Sequence, residues 1–450
     1  MPPATPPTKP PPASEWGKLA YELLVIATLP LGFLYLLWRL IIKGSWREGL
    51  GERLGFLPKH LQALGQTDDP VVWVHAVSVG EVAAVEPILH ELRQAEPHAH
   101  LVLSTGTATG HIQAERQPFD VDAVVYFPFD FPGLTERALT ALRPDLIVLL
   151  ETELWPRLLA VAQDRGIPVC VVNGRLSDRS FPRYRLVRFF MRWVLSKVAL
   201  VCAQSELNRD RFVAIGADPE RVRVTGNSKF DESFPQVPAE ETAKWRQDLG
   251  FTQEQPILLA ASTHAREEEL LLRCYERLRA DSPDLGLLIA PRHPERGDAI
   301  EALIGEFGYG CLRRSRGEAA PATGGARVTV ALLDTIGELS RVFSIATVVV
   351  MGGSFAPVGG HNLLQPMALG KPVVFGPYMH NFRDISDLTL SEGAGLQVSG
   401  PEELTATVAR LLGSPPEREL LAVKARALIE RNNGTAHTTV SCLLPLLDTQ

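Results

Sequence analysis

Val74-His-Ala-Val-Ser-Val-Gly-Glu81 decides how this chain is read. An apolar, largely β-branched run, Val71 to Val77, passes into a turn of small residues and ends on a carboxylate. A run without polar alternation suits a strand buried on both faces of a parallel sheet. Ser78, Gly80 and Glu81 then fall at its carboxyl end, where open α/β sheets bind ligands. Glu81 opens a helix expected over Glu81 to Gln94. A carboxylate in a first helical turn has a structural use, offsetting the helix dipole by about 0.3–1 kcal/mol, and it has a catalytic one. This segment alone leaves both open.

Working outward, the same alternation of short β-branched runs with helical stretches recurs along the chain, the pattern of βα units on a parallel sheet. Strands are expected at Val71–Val77, Leu101–Thr105, Ala123–Phe127, Leu146–Leu150, Val169–Asn173, Leu200–Ala203 and Val222–Thr225. A second series follows at Ile257–Ala261, Gly286–Ala290, Val328–Leu333, Val348–Met351 and Pro372–Phe375. Between them Ser233 to Gln255 is rich in Pro, Glu and Gln, with one helix expected near Ala239 to Leu249. Arg313 to Arg327 reads as a Gly, Ala and Arg-rich loop. A chain of 450 residues exceeds one ordinary core. The expected class is therefore α/β, with two Rossmann-like domains, 43–232 and 256–450, joined by a linker at 233–255 and facing each other across a cleft.

Composition narrows the function classes. Hydrophobic residues at 45% and charged ones at 22% are those of a globular protein. A formal net charge of −7 argues against nucleic-acid binding, which needs a basic face to displace counterions. Five scattered cysteines without a Cys-x-x-Cys pair fit a reducing compartment. Asp120-Val-Asp122 lies before a strand and reads as a surface turn. His75, His264 and His293 lack metal-ligand spacing, so no metal is expected.

The N-terminus departs from this soluble character. Residues 1–18 form a Pro-rich leader expected to be disordered and extended. Residues 19–42 include an uncharged stretch, Leu23 to Trp38, and are long enough for a membrane helix. Arg39, Lys43, Arg47 and Arg53 follow it, against Lys9 and Lys18 before it, which places the large C-terminal part on the cytoplasmic side.

Four turns of the second half are expected to converge on a nucleotide, with charged surface loops or tight turns as the structural alternatives. Pro291-Arg-His-Pro-Glu-Arg296 follows a strand, and Arg292 offers a fork of donors to a phosphate. Asp334-Thr-Ile-Gly-Glu-Leu339 is expected to begin a helix, turning backbone amides to an anion and Glu338 to a base or ribose; Asp334 as a plain helix cap explains the same residues. Met351-Gly-Gly-Ser-Phe-Ala-Pro-Val-Gly-Gly-His-Asn-Leu-Leu-Gln-Pro366 places two Gly pairs ahead of a helix expected near Asn362, so that amides can crowd a phosphate and Gln365 can hold a ribose diol. Phe375-Gly-Pro-Tyr-Met-His-Asn-Phe382 would wall the same site. In the first half, Glu151 and Glu153 lie at a strand end, on one side if that chain stays extended. Lys229, in Gly226-Asn-Ser-Lys-Phe-Asp231, can neutralise developing charge or form an exposed salt bridge.

Taken together, His75-Ala-Val-Ser-Val-Gly-Glu81, Glu151-Thr-Glu-Leu-Trp155, Asn173-Gly-Arg-Leu-Ser177, Gly226-Asn-Ser-Lys-Phe-Asp231, Pro291-Arg-His-Pro-Glu-Arg296 and Gly359-Gly-His-Asn362 resemble the 3-deoxy-D-manno-octulosonic acid (Kdo) transferases, over residues 20 to 440. The resemblance implies the glycosyltransferase B fold, an inner-membrane location, and inverting transfer of Kdo from CMP-Kdo to the lipid A precursor (lipid IVA) in lipopolysaccharide core biosynthesis. No cofactor or metal is implied. The partners are donor, acceptor and inner-membrane lipid. Acceptor binding falls to 43–232 and donor binding to 256–450. By position, Glu81 matches the general base, and Glu151 and Lys229 match residues assisting the transition state. Pro291, Arg292, Ile336, Gly337, Glu338, Asn362, Leu363, Leu364 and Gln365 match contacts to CMP. Gln365 stands where the family often has Glu, and an amide lacks the charge-assisted hydrogen bonds a carboxylate offers.

Overall fold

The computed structural model describes residues 47–447 apart from 117–118, 233, 235 and 318–329. The leader at 1–18 and the membrane helix expected at 19–42 lie outside the described residues. Among those described, no helix is long and apolar enough to cross a membrane.

The chain forms two compact units, one of residues 1–232 with 432–450 and one of 233–431. The first contains β1 (Val71–His75), β2 (His100–Thr105), β3 (Ala123–Tyr126), β4 (Leu146–Leu150), β5 (Val169–Gly174), β6 (Leu200–Ala203) and β7 (Val222–Val224). They form one sheet in the order β3-β2-β1-β4-β5-β6-β7, parallel at every pairing. Val71 and Trp73 of β1 enter one core and Val72 and Val74 the other, as period-two side chains of a doubly covered sheet must. Helix Val79–Ala95 covers the second core with Val82, Val85, Ile88, Leu89 and Leu92.

The expected run to Val77 ends early, at His75. Val77 instead turns its carbonyl to the loop after β2, accepting from the amides of Gly106 and Thr107 and from the Thr107 hydroxyl at 3.0–3.2 Å. The helix that follows starts at Val79, two residues before the expected start.

The second unit contains β8 (Ile257–Thr263), β9 (Gly286–Pro291), β10 (Cys311–Arg313), β11 (Val330–Leu332), β12 (Val348–Met351), β13 (Val373–Phe375) and β14 (Leu396–Gln397). Its order is β10-β11-β9-β8-β12-β13-β14, again parallel. β10 and β14 escape the sequence reading because three and two residues at a sheet edge carry no pattern. The segment expected as a linker, 233–255, belongs to this unit. Its helix, Ala239–Asp248, seats the buried Trp245.

The C-terminus corrects the expected boundary of 256–450. Helix Thr435–Leu447 belongs to the first unit, where Ala436, Val440, Leu443 and Leu446 complete the core beneath β1, β4 and β6. Asp231 fixes its start by accepting from the amides of Gly434 and Ala436.

Three of the five described non-glycine residues with positive φ lie at the carboxyl ends of strands. Glu151 follows β4, Asn173 lies at the end of β5, and Ser262 interrupts the register of β8 with β9. Left-handed backbone at such residues costs about 1 kcal/mol or more and clusters at functional sites.

Candidate active site

In each sheet the winding direction reverses at one place, between β1 and β4 in the first and between β8 and β12 in the second. Ligands of doubly wound sheets bind outside the carboxyl ends at such a switch point. Glu81 lies just beyond β1, and Glu151 and Glu153 just beyond β4. His264 follows β8, and the glycine-rich loop follows β12.

In the first unit, Glu81 occupies the third position of its helix and reaches back over the N-terminus. One carboxylate oxygen accepts from the Val77 amide at 2.8 Å, the other from the Ser78 hydroxyl at 3.0 Å. The structural use anticipated for this carboxylate is therefore present. A carboxylate has about four acceptor positions, so these two bonds leave room for a substrate proton. Burial, then the negative charge of Glu151, with Glu153 adding to it, push the Glu81 carboxyl up to about 7 against the hydrogen bonds that favour its charge. Glu153 is likewise pushed up to about 7 by burial and by Glu151.

The extended geometry expected for Glu151 and Glu153 does not occur. Glu151 adopts φ 52°, so the chain turns as it leaves β4, and the Thr152 hydroxyl ties the turn to the Arg175 carbonyl. The turn nonetheless brings both charges to Glu81. Lys229 sits in a 3-10 turn, Ser228–Asp231. There the Ser228 hydroxyl donates to the Ala84 carbonyl at 2.7 Å, its amide donates to Asn173, and Asn227 caps the turn. Lys229 is thus held beside the first turns of the Glu81 helix and is buried, which removes the exposed salt bridge as an account of it.

In the second unit, the loops after β11, β9, β8 and β12 follow one another along the carboxyl edge of the sheet. Pro291 ends β9, and the exposed Arg292 is pinned by its amide to the Thr263 carbonyl at 3.0 Å. His264 and His361 stack with their ring planes 7° apart and their Nε2 atoms 2.9 Å apart. His293 meets His264 edge-on, with ring centroids 5.5 Å apart. Burial, then the charges of His264, Arg292 and His293, push His361 down to about 4, and His264 is lowered mainly by burial. Both imidazoles are neutral at pH 7. Among the described residues no cluster of three or more metal-ligating side chains occurs.

Two expectations for these loops change. Asp334 does not open a helix: 334–338 form a bend, and the short helix Leu339–Val342 starts beyond it. Asp334 instead binds Arg313 and Ser315, while Glu338 pairs with Arg314, whose guanidinium lies over Trp245. Gly337, at φ 88°, permits the bend and leaves Ile336 82% exposed.

The second change concerns the glycine-rich loop, whose amides mostly turn inward. Gly352 donates to Ala261, Gly353 and Phe355 and Ala356 to the Glu267 carboxylate, and Gly359 and Gly360 to the Gly353 carbonyl. These glycines serve close packing: a Cβ on Gly352 would stand 2.6 Å from the Ser262 carbonyl oxygen. The helix begins at Leu364 and spans five residues, with Asn362 accepting from the Leu364 amide at 3.0 Å. Leu363 and Leu364 are fully buried, so only their main chain can meet a ligand; Gln365 is half-buried. The segment after β13 walls the loop as expected. Tyr378 donates to Ser354, and Asn381 donates to Val358 and Gly359.

Sequence reasoning missed Glu267 and Glu268. Both are buried first-turn carboxylates of helix Glu267–Asp281, Glu268 pairing with Arg296 and Thr263. An acidic helix start gave no hint of their inward direction.

Comparison with known proteins agrees with this geometry. The family model described as 3-deoxy-D-manno-octulosonic-acid transferase (kdotransferase) matches residues 48–232. The chain is 32% identical to the 3-deoxy-D-manno-octulosonic acid transferase of Haemophilus influenzae, over 95% of this chain and 98% of that one. It is 31% identical to the enzyme of the same name from Bordetella pertussis, over 95% and 99%. Among solved structures, a UDP-GlcNAc 2-epimerase from Neisseria meningitidis superposes with a TM-score of 0.57 at 16% identity, over 83% of this chain and 99% of that one. A glycosyltransferase from Rickettsia africae superposes with a TM-score of 0.58 at 12% identity, over 85% and 100%. These two show the shared two-domain fold alone. With the fold, the switch-point carboxylates and near full-length relatives above 30% identity in agreement, the chain belongs to the 3-deoxy-D-manno-octulosonic acid transferase family.

Proposed function

We propose that this chain transfers Kdo from CMP-Kdo to the lipid A precursor, lipid IVA, at the cytoplasmic face of the inner membrane, with inversion and with Glu81 as general base. The observation that carries the reading is Glu81 itself: a carboxylate at the switch point whose proton affinity is tuned to about 7 by burial and two like charges. A base matched to the working pH contributes typically about 10²- to 10⁴-fold. Glu81 takes the proton of the acceptor hydroxyl as its oxygen bonds to the anomeric carbon of Kdo. The bond from that carbon to the phosphate oxygen breaks, and CMP leaves with the electron pair. Glu151 keeps Glu81 basic, and Lys229 offers positive charge to the acceptor side.

On the donor side, Arg292 and the imidazoles beside it face the phosphate, a monophosphate leaving group that such donors can stabilise. Pro291, Ile336, Gly337, Glu338 and the 362–365 segment are assigned to the rest of CMP. Glu338 reaches a ribose only by leaving Arg314, so the amide of Gln365 is the simpler partner.

Residues 19–42 would tether the enzyme, and a surface of the first unit suits an acylated, anionic acceptor. Leu186 (87% exposed), Val187 and Phe189 (70% exposed) lie among the exposed Arg183, Arg185, Arg188 and Arg192. Tyr184 of the same helix is close enough to Glu153 for that charge to add to burial in raising its hydroxyl. An apolar, basic patch leading toward the carboxylates fits acyl chains and phosphates.

The decisive experiment measures transfer of labelled Kdo from freshly generated CMP-Kdo to a tetraacylated lipid A precursor by wild type and Glu81→Gln, with CMP binding followed in parallel. Activity lost in the variant with CMP binding kept supports both reaction and base. No transfer by wild type, with UDP bound in preference to CMP, overturns the reading in favour of a UDP-sugar enzyme.

A further inference from the structure

Glu267 is 2% exposed, and its four hydrogen bonds all come from main-chain amides. One oxygen accepts from His264 at 2.8 Å and from Gly353 at 2.7 Å; the other accepts from Phe355 at 2.9 Å and Ala356 at 3.3 Å. A single carboxylate thus binds the segment that carries His264 and the loop that carries His361. The Glu267 amide closes the turn on the His264 carbonyl at 3.0 Å. The loop approaches so closely that a Cβ on Gly353 would stand 2.9 Å from the His361 ring and 3.4 Å from that of His264.

We propose that Glu267 is a positioning residue for donor binding: by fixing the main chain beneath both histidines it makes His264 and His361 meet as a proton-sharing imidazole pair beside Arg292. The inference rests on the donor reading given above.

The chemistry follows from the geometry. With two neutral rings, one Nε2–H donates to the other Nε2, so the accepting ring must carry its proton on Nδ1. The pair thereby fixes a tautomer and an N–H direction that a free imidazole would leave open. The titratable and charged groups around the pair are Arg292 and His293 after β9, and Glu267 and Glu268 at the helix start. The amides of Gly353, Phe355 and Ala356 point at Glu267 and so cannot answer an incoming phosphate; the pair and Arg292 can.

The test uses long-range ¹H–¹⁵N correlation of the imidazoles in the full-length protein, with the dissociation constant of CMP measured alongside. In wild type one ring should show the Nε2–H tautomer and the other Nδ1–H. Glu267→Gln replaces an accepting oxygen by an amide that opposes two N–H groups. It should abolish the paired signature and weaken CMP about ten- to a hundredfold, as loss of a hydrogen bond to a charged group does. Gly353→Ala, which leaves the carboxylate intact and displaces the His361 ring, should give the same signature, so the test survives if Glu267→Gln does not fold.

Independent titration of the two rings in wild type overturns the proposal, as does wild-type CMP affinity in folded Glu267→Gln or weakened affinity with the pair intact. If wild type prefers UDP to CMP, the donor assignment fails, while the imidazole spectra still decide the role of Glu267.

Discussion

Replacing Glu81 by Gln should slow the enzyme and, at alkaline pH, stabilise it. The folded state raises this carboxyl from 4.5 to about 7, so holding it ionised costs the fold roughly 3 kcal/mol. The sign follows from linkage: proton binding by Glu81 favours the fold fully below the unfolded value near 4.5, and this contribution is lost as pH rises through about 7. Gln carries no charge and escapes that loss. It also loses an acceptor for the Val77 amide or the Ser78 hydroxyl, a cost of about 1 kcal/mol. The variant should therefore be more stable than wild type by about 2 kcal/mol at pH 8 and slightly less stable at pH 5. Urea unfolding of the first unit, followed by tryptophan fluorescence at both pH values, reads the difference directly. Transfer should fall about 10²- to 10⁴-fold at pH 8, and the wild-type rate should rise with pH through about 7. A stability difference that does not change between pH 5 and 8 would refute the reasoning, because it would mean that Glu81 carries no raised proton affinity in the fold.

Three further outcomes are expected. Leu443→Ala, in the fully buried face of the last helix, should cost the first unit about 2–5 kcal/mol and leave the second unit's unfolding transition unchanged in a urea titration. Asp130 accepts from the amides of Arg157 and Leu158 at the start of helix Pro156–Asp164; Asp130→Ala should lower stability by about 1–2 kcal/mol, seen as a lower denaturation midpoint. Leu186→Asp combined with Phe189→Asp should raise the KM for acylated acceptor about tenfold or more, the loss of two exposed apolar contacts, with CMP affinity unchanged in the same preparations.

The parallel sheets were legible because short apolar runs such as Leu146–Leu150 and Ile257–Ala261 recur between helical stretches, and strand ends locate the carboxyl edge. Glu81, Glu151 and His361 accordingly lie beyond the carboxyl ends of strands. Direction was not legible. The glycine loop reads as a phosphate cradle, and only three-dimensional structure reveals that Glu267 takes its amides, since Glu267-Glu-Glu269 looks like any acidic helix start. Leu363 and Leu364 read as site residues because they sit in the motif, whereas their side chains belong to the core. Asp334 and Glu338 found basic partners at Arg313 and Arg314, in a stretch that looked structureless. The last helix is amphipathic, but no local signal tells it which of two sheets to cover.

That last helix has a consequence for synthesis. Every strand of the first sheet has been translated by Val224, yet the helix that seals one face of it follows only after Asn432. About 200 residues intervene, which at ~5–20 residues per second leaves roughly ten to forty seconds in which Val148, Val172 and Cys202 lack their final cover. The second unit, encoded without interruption, can be complete before the first. A nascent chain stalled near residue 430 should accordingly expose an apolar strip that a chaperone can hold, and emergence of the last helix becomes the step that lets the earlier-made domain finish folding.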